Sequence, residues 1–192
     1  MKDRVIFILG KRGSGKSTLA KRVLSRFSRV IVFDPLKEYR EGIIIRSIDA
    51  LFAFAKNPPE TFTLVLRFQN VDAELVALEY ETAAKVAHAL GDLLLVLEEC
   101  EMFINSNNQS SFINYLISYG RHENINMLAI GRRPREIPIR FRANFTTIAV
   151  FRTTEPPDLN HLEVYGFDPE EIATLPEYEY ALIGEPFEDE TS

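Results

Sequence analysis

The 192-residue chain holds a single cysteine, Cys100, so no disulfide can form within it. A reducing, intracellular setting is the natural expectation, with cytoplasmic localisation. No apolar run approaches the roughly 18–20 residues that cross a bilayer, so no membrane partner is expected. The apolar run after the first four residues stops at Gly10 and is followed by no small-residue cleavage site, which argues against a signal peptide. Lys and Arg are missing altogether from 153–192, where 12 Asp and Glu stand. Residues 1–152 therefore carry all 22 basic side chains and 16 of the 28 acidic ones, a balance of +6 inside a chain of net charge -6. An acidic total thus does not exclude a polyanionic partner. The densest basic stretch is Arg132, Arg133, Arg135, Arg140, Arg142 and Arg152; it reads either as a polyanion contact or as a surface of ordinary ion pairs.

What is present is an alternation of short apolar runs and helical patterns. Residues 4–9 form a β-branched, apolar strand ending at Gly10, and 17–27 carry Leu19, Ala20, Val23, Leu24 and Phe27 at helical spacing. Strands are predicted at 30–33, 61–68, 93–97, 125–130, 146–151 and 178–183. Helices are predicted at 47–56, 72–90 (closed by Gly91) and 111–119 (stopped by Gly120). The fold class is α/β: a mostly parallel sheet with helices on both faces. One domain is expected over 1–184, with a short, acidic, mobile tail from Glu185.

Two motifs carry chemistry. Gly10, Lys11, Arg12, Gly13, Ser14, Gly15, Lys16 and Ser17 fit the pattern GxxxxGK[ST] between a strand and a helix. Glycines let the backbone wrap phosphate oxygens, the helix N-terminus adds partial positive charge, Lys16 reaches the β- and γ-phosphates, and the Ser17 hydroxyl binds Mg²⁺. Thr18 closes this nucleotide-binding segment. The second motif is the run 93–97, followed by Glu98 and Glu99. A strand ending in two acids sets carboxylates at the ligand-binding edge of an open sheet. Glu98 then serves the metal side and Glu99 polarises the attacking water; first-turn acids of a helix are the alternative. A water-activating glutamate favours ATP hydrolysis over phosphoryl transfer to a small acceptor.

Further segments give the chain a resemblance. Residues 33–39 contain Asp34-Pro35 followed by Glu38-Tyr39. Gly120-Arg121 precedes the strand at 125–130, and Gly131-Arg132-Arg133-Pro134 follows it. In this order, with the two motifs above, the chain resembles the FtsK–HerA superfamily of DNA-translocating ATPases, in particular the small viral genome-packaging ATPases, over residues 4–165. The resemblance implies a RecA-like sheet with an additional strand between the phosphate-loop strand and the acidic strand. It also implies a ring, usually a hexamer, with ATP between subunits and double-stranded DNA in the channel. Arg121 matches a candidate arginine finger, although the helix dipole would equally favour an Arg there. Arg132 stands where the family's polar sensor is usually Gln. A guanidinium can contact phosphate but accepts no hydrogen bond. Without a docking domain of its own, such a motor would borrow a capsid portal or vertex protein. Two other classes remain open: a small-molecule or nucleotide kinase, and a phage assembly or secretion ATPase indifferent to DNA.

The remaining candidates each have two readings. Asp34 and Glu38 could contact nucleotide or the next subunit, or simply shape a turn, and the polar loop at 105–111 could face a channel or only solvent. His88, His122 and His161 have no metal-ligand spacing. Phe141, Phe145 and Phe151 fit core positions better than base stacking.

Overall fold

The computed structural model describes residues 4–70, 72–104 and 111–187, with backbone alone at 140 and 142. Expectations for the loop at 105–110, for the Arg140 and Arg142 side chains and for 188–192 lie outside the described residues.

Among the described residues eight strands form one sheet: β1 Val5–Leu9, β2 Arg29–Phe33, β3 Ile43–Ile45, β4 Phe62–Leu66, β5 Leu93–Glu98, β6 Ile125–Gly131, β7 Thr147–Phe151 and β8 Tyr180–Gly184. Their order is β3-β4-β2-β5-β6-β1-β7-β8. Every pairing is parallel except β7 with β8. The expected additional strand is β6, seated between β1 and β5. Its register sets Leu9 beside Gly131 and Glu98 beside Ile130.

Among the described residues six α-helices cover the sheet: α1 Lys16–Leu24, α2 Ile48–Ala55, α3 Ala73–Leu90, α4 Phe112–Tyr119, α5 Pro156–Tyr165 and α6 Pro169–Thr174. The pleat of β1 divides the core. Val5, Phe7 and Leu9 turn to the face packed by residues of α2 to α6, while Ile6 and Ile8 meet Leu19, Ala20 and Val23 of α1. The central strands are buried on both faces, which explains their unbroken apolar runs. Phe141 and Phe151 are buried, and Phe145 stacks on Phe7 with ring centroids 4.3 Å apart, so these aromatics are core residues.

Three elements are absent from the sequence reading: β3, α5 and α6. Each helix opens on a proline at its first position, where the missing N–H costs nothing, and Asp168 caps α6 by accepting from the Glu170 amide at 2.9 Å. The segment assigned to the acidic tail also starts out packed. Arg4 pairs with Glu185 at 2.9 Å, Thr147 Oγ1 donates to the Glu185 carbonyl at 2.9 Å, and Phe187 is buried.

Asp34 shapes a turn. Its fully buried carboxylate accepts from the Glu38 amide at 2.8 Å and the Tyr39 amide at 3.2 Å. It also takes the Arg67 guanidinium through Nε and Nη2, both at 2.8 Å. Breaking one side of a buried pair strands the other charge. Arg67→Met should therefore cost about 3–5 kcal/mol in urea unfolding, and a loss under about 1 kcal/mol would contradict the assignment.

Candidate functional site

The C-terminal ends of β1, β6 and β5 lie side by side, and each opens into a segment singled out from sequence. Gly10 leaves β1 and donates its N–H to the Gly131 carbonyl at 3.2 Å. A side chain at Gly10 would meet Phe151 Cβ at 2.7 Å and Ser14 Oγ at 2.8 Å, so only glycine fits. Gly13 and Gly15 hold positive φ, 79° and 108°, and a Cβ at Gly13 would meet nothing within 4 Å. The loop is thus closed against the sheet and open to solvent.

Helix α1 begins at Lys16 with Gly15 as its N-cap, no side-chain cap and no acidic residue in its first turn. Its first amides are left to an outside acceptor, which suits an anion. The Lys16 ammonium donates to the Lys11 carbonyl across the loop at 3.0 Å. Burial lowers its pKa from the ordinary value, against the opposing pull of Glu99 and Glu98. Ser17 and Thr18 are exposed at the helix start, as are Lys11 and Arg12 in the loop.

On the far side of β6, β5 ends at Glu98, only 3% exposed. Its carboxyl is pushed up to about 8, first by burial and then by Glu38, Glu99 and Asp34, with Lys16 opposing. Glu98 Oε2 has no hydrogen-bond partner. A buried carboxylate with an orphan oxygen, facing an ammonium and an uncapped helix start, is suited to a hydrated divalent cation. Glu98 and Ser17 are the residues that would hold it.

Glu99 adopts the left-handed conformation, φ 52° and ψ 57°. This ends strand alternation, so consecutive carboxylates can share one edge. Its Oε1 accepts from Arg132 Nη2 at 2.6 Å and Nε at 2.8 Å. Sequence reasoning missed Glu101, whose Oε1 accepts from the backbone amides of Arg132 and Arg133, the latter at 3.2 Å. No local signal marks it, since the partners lie more than thirty residues away in sequence. Gly131 permits this closeness: a Cβ there would meet Cys100 Sγ at 2.9 Å and Glu101 Oε1 at 3.0 Å.

Lys16, Glu98, Glu99 and Arg132 are therefore brought together. Arg121 is not. It lies in the turn before β6, at the opposite end of a seven-residue strand, roughly 20 Å from Arg132 along the sheet. It is exposed there.

The basic stretch resolves into separate roles. Arg133 pairs with the buried Asp158 of α5 at 3.3 Å, so part of the acidic region serves to neutralise an arginine within the fold. Arg152 joins Lys11, Arg12, Gly13, Pro176, Glu177 and Tyr178 around a cleft of about 230 Å³ flanking the phosphate loop. Among the described residues no His, Cys, Asp and Glu cluster makes a metal site of protein ligands alone. His88 packs edge-on against Phe112, and His161 contacts the Ile137 carbonyl at 3.0 Å. No helix among the described residues is long and apolar enough to cross a membrane.

The raised Glu98 pKa has a definite sign. The folded chain binds this proton more tightly than the unfolded one, whose carboxyl titrates near 4.5. The contribution to stability is full below that value and is lost as pH rises through about 8. In metal-free buffer, Glu98→Gln should be more stable than wild type by on the order of 4 kcal/mol at pH 8, and the gap should close towards pH 4.5. A pH-independent difference in thermal melting would contradict this.

No family profile matches the chain, and no curated protein sequence matches it either. Solved structures do. The genome packaging NTPase B204 from Sulfolobus turreted icosahedral virus 2, in complex with sulfate, superposes with a TM-score of 0.76 at 18% identity, covering 96% of this chain and 92% of that one. B204 of Sulfolobus turreted icosahedral virus, described as a DNA-packaging ATPase, gives 0.72 at 21% identity over 94% and 92%. VirB4 of Thermoanaerobacter pseudethanolicus gives 0.68 at 14% identity over 94% and 88%. The chain accordingly has the α/β P-loop NTPase fold of these proteins, a mostly parallel sheet with helices.

Proposed function

We propose that this protein hydrolyses ATP with Mg²⁺ and uses the energy to move double-stranded DNA, most simply to package a viral genome in a host cell's cytoplasm. The observation that carries the reading is the pairing of an uncapped, glycine-shaped helix start with two carboxylates across a single intervening strand. Gly10, Lys11, Arg12, Gly13, Ser14, Gly15, Lys16, Ser17 and Thr18 cradle the phosphates. Ser17 and Glu98 hold the metal, which when bound offsets phosphate charge. Glu99 takes the proton of the attacking water, and Lys16 neutralises the terminal phosphate.

Subunits assemble as a ring, a hexamer on the family resemblance, docked on a capsid portal or vertex protein. The placement of Arg121 away from its own subunit's carboxylates suits a role in the neighbour's site, where a guanidinium stabilises charge on the transferring group. DNA is gripped through phosphates, so binding weakens steeply with salt and depends little on sequence. The DNA-packaging role stated for B204 supports this partner.

ATP turnover measured with and without double-stranded DNA tests the reading. Wild type should be stimulated by DNA, and Glu99→Gln and Lys16→Ala should each lose at least about 100-fold. Turnover that requires a small acceptor would make the protein a kinase. Hydrolysis indifferent to DNA would make it an assembly or secretion ATPase.

A further inference from the structure

Two buried polar atoms beside each other's strands lack a hydrogen-bond partner: Oε2 of Glu98 and the hydroxyl oxygen of Tyr39. β2 runs along β5 with Phe33 level with Leu97, so the turn that follows Phe33 begins next to Glu98. On β5, Leu94 and Val96 pack with Leu19, Ala20 and Val23 of α1, and strand alternation sends Glu98 to that same face. Tyr39 packs in the same cluster and is 8% exposed. Burial raises the pKa of its phenol, and among the charges that add to this Glu98 comes first, ahead of Asp34 and Glu38. The backbone of Tyr39 is tied down on both sides. Asp34 accepts from its amide at 3.2 Å, and Arg67 Nη2 donates to its carbonyl. The buried pair of Asp34 and Arg67 thus fixes a residue whose phenol oxygen bonds to nothing. A buried hydroxyl without a partner is destabilising, and phenylalanine would give the same packing without that cost.

We propose that Tyr39 is a positioning residue for the metal side of the site, its hydroxyl holding the ionised Glu98 carboxylate in the orientation that receives a divalent cation. The inference rests on the Mg²⁺-dependent ATPase reading above. A phenol can donate to a carboxylate, and an ionised carboxylate only accepts. A carboxylate that serves a cation is itself held by hydrogen bonds from the protein, and those bonds set much of the affinity of the site. Tyr39 and Glu98 supply the matching donor and acceptor, each left unsatisfied in the metal-free chain. The hydroxyl therefore works against the metal-free fold and in favour of the metal-bound one. A tyrosine kept for packing or folding would act the other way, stabilising the chain with or without metal, and this separates the two explanations.

The test is a calorimetric titration of wild type, Tyr39→Phe, Glu98→Gln and the doubly substituted protein with the β,γ-methylene analogue of ATP, once in EDTA and once in excess Mg²⁺. Equal circular dichroism spectra establish that all four are folded. Mg²⁺ should tighten the binding of the analogue to wild type. In Tyr39→Phe that gain should shrink about tenfold, with the affinity in EDTA unchanged. In the Glu98→Gln background the tyrosine substitution should change neither affinity, because the hydroxyl acts through the carboxylate. In urea with EDTA, Tyr39→Phe should unfold at the same concentration as wild type or a higher one. An undiminished Mg²⁺ gain in Tyr39→Phe, an equal loss of affinity in EDTA and in Mg²⁺, the same loss of gain with Glu98 already replaced, or a lower urea midpoint would each overturn the proposal while leaving the ATPase reading in place. Failure of every form to bind the analogue in either buffer would overturn both.

Discussion

The site depends on the placement of one strand. Because β6 is inserted between β1 and β5, the first residue of the phosphate loop and the first of the two carboxylates end up two strand spacings apart, about 10 Å. The register sets Glu98 level with Ile130 and Ile8, two residues short of Gly10 on the same edge of the sheet. Without β6 the carboxylates would abut the loop; with it, there is width for a hydrated cation and a terminal phosphate. β6 also delivers Gly131 and Arg132 into that gap, so the spacer supplies part of the chemistry. Packing holds the arrangement in place. β6 is buried along its whole length, and its side chains are shared between the two core faces.

The electrostatics of the site follow from the same geometry. Lys16, Glu98, Glu99, Glu101 and Arg132 are gathered where burial raises the cost of every unpaired charge. Some of that cost is met inside the chain, by Arg132 on Glu99 and by backbone amides on Glu101. Glu98 keeps an orphan oxygen and a raised pKa. The groups already paired hold the frame, and Glu98, which like Glu101 keeps an unpartnered oxygen, faces the place where a cation would sit. Asp34 shows the contrast, with a fully buried carboxylate given entirely to structure by Arg67 and two amides.

Much of this was legible in the sequence because the relevant signals are local. The phosphate loop is a contiguous pattern, and β5 announces itself as an apolar run ending in acids. The long helix α3 ends at a glycine with positive φ, as expected. What escaped were elements too short or contacts too distant. β3 has three residues, below the length at which alternation can be read. α5 and α6 carry weak apolar periodicity, although Pro156 and Pro169 mark their starts. The Arg133–Asp158 pair, the Glu101 contacts and the Glu185–Arg4 pair join residues 25 to 181 positions apart, which no window on the sequence can see. Asp34 is open to two readings in sequence, and its bonds to the Glu38 and Tyr39 amides and to Arg67 decide for structure.

A crystal structure with the β,γ-methylene analogue of ATP and Mg²⁺ tests the central claim most directly. The account predicts the triphosphate on the turn from Gly10 to Ser17, with the cation between Ser17 and Glu98. A nucleotide bound elsewhere, or a cation that leaves Glu98 untouched, would contradict it.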